Sequence, residues 1–127
     1  MTDPKKADQL TTALLQFTGS TQCHRWSRLT RLVMTDGVQY LAEEAGAYWL
    51  LDAIASYQNS PQVKGSRRLQ EIQFWTLSVN GSQGILECVE DSGEPPIVRQ
   101  EIPYTDFPLK EIKLYVCNGV IFLPSEY

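Results

Sequence analysis

Between residues 45 and 55 the chain reads Ala-Gly-Ala-Tyr-Trp-Leu-Leu-Asp-Ala-Ile-Ala. A helix that is apolar on every side has to be covered on every side. This run is therefore expected at the centre of the fold, as the floor on which the rest packs. Its one carboxylate, Asp52, must then find hydrogen-bond donors or hold a proton. Upstream, Asp36 stands three residues before Gln39, the spacing of a capping box with Asp36 as the cap. Gly46 is expected to break the run into helices near 38–45 and 47–58, because glycine is poor inside helices.

Hydropathy patterning around this run gives an α+β order. Pro4 suits a helix start, with Thr2 or Asp3 as cap. Ala7, Leu10, Leu14 and Phe17 form one stripe at helical spacing, and Gly19 is a suitable stop. Residues 20–34 mix basic and apolar positions, with a short strand expected from Leu29 to Met34. Residues 59–69 read as an exposed connection in which Lys64, Arg67 and Arg68 are solvated. From Glu71 onward the pattern is strand-like, with Trp75, Leu77 and Val79 on one face. Turns are expected at 80–84 and 91–96, and a stiff Pro103 to Pro108 connector follows.

Asn118-Gly119 is the preferred pair for a type I′ hairpin turn. It sets Cys117 against Val120, Val116 against Ile121, Tyr115 against Phe122 and Leu114 against Leu123. Both faces of that hairpin are apolar, which places it inside the sheet or under cover on both sides. The expected fold is an N-terminal helix and a broken central helix packed on a mostly antiparallel sheet of about five strands.

With 127 residues, the chain is expected to be a single domain spanning 1–127. No apolar run reaches the length of a membrane span, and Met-Thr-Asp-Pro-Lys-Lys is not a secretory leader. A cytoplasmic location is expected by default, with no membrane partner. Cys23, Cys88 and Cys117 are odd in number and widely spaced, which argues against disulfides. The formal net charge is −4. Residues 1–70 carry eight Lys/Arg against six Asp/Glu, and residues 71–127 carry three against nine. Nucleic-acid binders usually show a basic footprint, so this balance argues against nucleic acid as the partner.

Thr35-Asp36-Gly37-Val38, the block from Ala45 to Ile54, the segment Gln100 to Pro108 and the ending Asn118 to Tyr127 resemble a small bacterial family catalogued as domain of unknown function 6876. That resemblance implies a stand-alone domain, often borne on plasmids or mobile regions. It brings no activity, cofactor or site residue.

The candidates for chemistry are few. One histidine, His24, and three scattered cysteines do not have the spacing of a zinc site, and nothing in the spacing of Asp36, Asp52 and Asp106 favours magnesium. No metal or cofactor is expected. Cys23 and His24 offer a thiol and an imidazole, but sequence neighbours seldom meet as nucleophile and base. Asp52 shares a helix face with Tyr48 and Trp49. Tyr104, Asp106 and Phe107 lie on a loop between prolines, a place where binding function concentrates. In turn chemistry the same loop reads as Tyr104 and Phe107 plugging the sheet edge while Asp106 forms an Asx turn. Arg25, Arg28 and Arg31, with Trp26 among them, would form a basic edge if helical.

Three functions compete. The leading one is a non-enzymatic interaction or regulatory domain of mobile-element type, binding a protein partner or a second copy through its aromatics. The hairpin's second apolar face is one surface for self-association. The second is a small enzyme or ligand binder with Asp52, Tyr48, Tyr104 and Asp106 around one pocket. The third is a nucleic-acid binder working through Arg25, Arg28 and Arg31.

Overall fold

The computed structural model describes residues 4–18, 22–26, 31–91 and 93–126. Helix α1 (Pro4–Leu14) buries Leu10 and Leu14, and the half-buried Phe17 just beyond it meets the Tyr40 ring at 5.6 Å. The expected caps Thr2 and Asp3 and the stop Gly19 lie outside the described residues. A two-stranded ribbon follows, β1 (Cys23–His24) against β2 (Val33–Thr35). The expected strand thus begins at Val33, and Leu29 lies outside the described residues.

Helix α2 (Asp36–Ala45) is capped by Thr35, not by Asp36. Thr35 is already extended as the end of β2, so its hydroxyl accepts the Val38 N–H at 3.4 Å. The Asp36 carboxylate is instead 2.6 Å from His24. Gly46 ends α2 at φ 61°, a left-handed conformation that glycine adopts without a Cβ clash. The break at Gly46 therefore stands where it was expected, and α3 (Tyr48–Tyr57) follows.

The expectation that this second helix is covered all round does not hold. Leu50, Leu51 and Ile54 are buried, but Tyr48 and Trp49 are half-buried and Asp52 is exposed. Much of the apolar count here is alanine, and Ala53 and Ala55 stand half-open because a methyl group costs little in water. The stretch expected as an open connection holds two short helices, α4 (Pro61–Lys64) and α5 (Arg67–Glu71). Ser60 and Ser66 cap them, which lets Val63 and Leu69 be buried. Arg68 reaches over to Glu94 at 3.1 Å, with Asp91 at 3.6 Å.

The remaining strands are β3 (Gln73–Asn80), β4 (Gln83–Val89), β5 (Val98–Ile102), β6 (Glu111–Cys117) and β7 (Val120–Phe122). With β1 and β2 they form, among the described residues, one seven-stranded sheet in the order β1-β2-β7-β6-β3-β4-β5. Every pairing is antiparallel except β2 with β7. The fold is α+β. The sheet exceeds the expected five strands because the short β1–β2 ribbon, set by few residues, joins its edge.

The last hairpin has the expected register, Cys117 opposite Val120, Val116 opposite Ile121 and Tyr115 opposite Phe122. Asn118 and Gly119 both have positive φ, 53° and 77°, as a type I′ turn requires. Its place inside the sheet explains its two apolar faces. Leu114, Val116 and Ile121 are buried, while Tyr115 stands edge-on to Phe74 and Phe122 across the other face. The described residues end in a 3₁₀ turn, Pro124–Glu126.

The buried polar side chains among the described residues, Thr35, Gln73 and Thr105, are all neutral. Gln73 is 4% exposed. Its amide exchanges hydrogen bonds with that of Gln58 at 2.7 and 2.8 Å, donates to the Leu69 carbonyl and accepts the Trp75 Nε1–H. This network ties α3, α5 and β3 together.

Candidate functional site

The connector after β5 carries most of the candidate site. Pro103 and Pro108 stiffen it, and Thr105 fastens it. The Thr105 N–H donates to the Ser82 carbonyl at 2.7 Å, and its hydroxyl accepts the Phe107 N–H at 3.1 Å. The turn expected of Asp106 is thus made by Thr105, whose side chain is buried where a hydroxyl can serve the backbone. Phe107 is buried, as a plug should be. Tyr104 and Asp106 alternate with these buried residues and are exposed.

Two adjoining hollows run along this connector, sharing Leu109 and Lys110. One, of about 410 Å³, lies between α1 and β6, with Leu14, Leu15, Ile112 and Leu123 in its lining. The other, of about 880 Å³, is lined by Asp8, Val79, Tyr104, Asp106 and Phe107. Together they make a groove beside α1. Among the described residues, the large apolar side chains standing open to water are Leu15, at 66%, and Tyr104, at 73%. Both line this groove, one in each hollow.

The expected site residues divide into separate places. Tyr104, Asp106 and Phe107 come together in the larger hollow. Asp52 lines neither hollow. Its carboxylate accepts the Trp26 indole N–H at 2.9 Å, which fastens the loop after β1 to α3. Tyr48 and Trp49 lie half-buried on the same helix. Burial, with the Glu43 carboxylate beside it, holds the Tyr48 phenol above its ordinary pKa, so it is protonated at neutral pH. The four residues of the enzyme reading are therefore not grouped in either hollow.

Arg25 and Arg31 are exposed and lie outside any helix, so the helical basic edge does not form at these two positions. Arg28 lies outside the described residues. Cys23 is exposed and adjoins His24 on a strand, where successive side chains point to opposite faces. The imidazole is turned to Asp36 at 2.6 Å. Burial pushes the Cys88 thiol up to about 12, and a protonated thiol is a poor nucleophile. Among the described residues no three His, Cys, Asp or Glu side chains converge as a metal site, and no helix is long and apolar enough to cross a membrane.

Leu15 and Leu109 are groove residues that sequence reasoning missed. The signal for Leu15 was present, since it falls off the Ala7-Leu10-Leu14-Phe17 stripe and so had no core position to fill. Leu109 carried no such mark.

A model of a family of unknown function, DUF6876, matches residues 8–127, and the chain belongs to that family. No curated protein and no solved structure matches it.

Proposed function

We propose that this chain is a non-enzymatic interaction domain that holds an extended or helical segment of a protein partner in the groove beside α1. The observation that supports this is the position of Leu15 and Tyr104, open to water in the two halves of one groove. Tyrosine suits such a place because its ring offers apolar area and its hydroxyl stays wet. Lys110 on the shared rim, with Asp8 and Asp106 in the larger hollow, supplies charges that fix orientation more than affinity. The partner segment therefore carries at least two apolar anchors spaced along it. The bacterial, mobile-element setting of this reading rests on the resemblance of the sequence blocks, and its cytoplasmic location is the default for a chain with no leader-like or membrane-spanning pattern.

Selection of a displayed random-peptide library against the whole protein tests the proposal. Selected peptides should share spaced apolar anchors and lose at least about tenfold in affinity for L15D and for Y104A, the range expected when an interface anchor is removed. Equal binding of those peptides to wild type and to both variants would refute the groove as the site.

A further inference from the structure

Strand β5 ends the sheet. It pairs with β4 on one side, and along its other side no backbone partner is present among the described residues. An open strand edge is a template for another strand. The side chains of β5 determine which strand fits. Val98 is buried and Ile102 half-buried on the core side of the sheet, where Gln100 accepts the Tyr57 O–H at 2.9 Å. On the other face Arg99 and Glu101 are exposed and lie 3.2 Å apart. The edge therefore offers free backbone groups flanked by one cation and one anion, two residues apart.

That segment, Val98-Arg99-Gln100-Glu101-Ile102, is complementary to itself when reversed. We infer that β5 pairs antiparallel with β5 of a second copy of this chain, about a two-fold axis at Gln100, extending one sheet through both copies. In this register Arg99 stands directly opposite Glu101 of the second copy, twice over by symmetry, and Val98 stands opposite Ile102. Directly opposed opposite charges stabilise a strand pair, and like charges destabilise it. Moving the axis to Arg99 would oppose two arginines, and moving it to Glu101 would oppose two glutamates. A one-residue shift would put each copy's core face on the other's open face. The centred register is the one that satisfies both charge and face. Pro96 and Pro103 bound the segment, and proline has no N–H to extend the ladder. The pairing therefore closes as a two-fold dimer and does not propagate along the chain.

A ladder this short belongs to the weak class of interfaces. The test is sedimentation equilibrium of the full chain from about 5 to 500 µM, with circular dichroism to confirm folding. Wild type should show a reversible monomer–dimer equilibrium. R99E and E101R should each weaken it about tenfold by opposing like charges. R99E/E101R restores opposite charges across the axis, so it should return to within about threefold of wild type. A wild type that stays monomeric throughout would overturn the inference. So would single variants that dimerise as wild type does, or a double variant that stays monomeric while folded. Each of these measurements leaves the groove reading to its own test, since Leu15 is untouched.

Discussion

Gln73 shows how one residue decides more than its chemistry suggests. Its oxygen takes both the Trp75 indole and the Gln58 amide, while its nitrogen serves Gln58 and Leu69. Replacing it by leucine leaves the buried Trp75 indole N–H unpaired, at about 1–3 kcal/mol. Q73L should therefore unfold at lower urea concentration, by about 2 kcal/mol, whereas D52N, on the surface, should change stability by less than about 0.5 kcal/mol. Urea titration followed by tryptophan fluorescence measures both. The sequence points the other way, to Asp52. An acid among apolar letters reads as buried, but the letters do not say that Ala53 and Ala55 are small enough to face water. Nor do they say that a glutamine far along the chain will meet Gln58.

At the scale of elements, the start of α2 depends on the turn Pro124–Glu126. Glu126 places one carboxylate oxygen on the Thr35 hydroxyl at 2.7 Å and on the Leu123 N–H at 2.9 Å, and the other 3.3 Å from the Gly37 N–H. A negative group near a helix N-terminus is favourable in the helix field. This approach requires Gly37 to lack a Cβ, which would come within 2.7 Å of Leu123 and 2.8 Å of Glu126. G37A should therefore displace that turn and lower stability by about 1–3 kcal/mol, while E126Q, which keeps the shape and loses the charge, should cost about 1 kcal/mol. Thermal melts at low and high salt separate them, since screening narrows the gap between E126Q and wild type. Local chemistry was enough to read the Asn118-Gly119 turn and the Gly46 break from sequence, because each is set by its own backbone conformation. The Thr35 cap and the Ser60 and Ser66 caps of α4 and α5 are equally local, but Asp36 competes for the first and Pro61 and Gly65 read as loop residues, which hid them. The groove was legible only in its Tyr104–Phe107 half, where prolines and aromatics mark a loop.

At the scale of the molecule, the sheet has a strong middle and weak margins. Strands β3 and β4 are paired on both sides over long ladders, while β1 holds a two-residue ladder at one edge. Amide exchange in deuterium oxide should accordingly be slowest in β3 and β4 and faster by at least about a hundredfold in β1, following the gradient of local opening. Residue-resolved exchange in dilute protein checks that order, and equal protection across the sheet would contradict it. The one parallel pairing sets Val33 and Met34 against Val120 and Ile121, joining distant parts of the chain. Translation makes those parts in order, so Met34 and the apolar side of α2 leave the ribosome long before the strand that covers them. Cells making this protein must keep that early segment from associating wrongly until β7 has emerged.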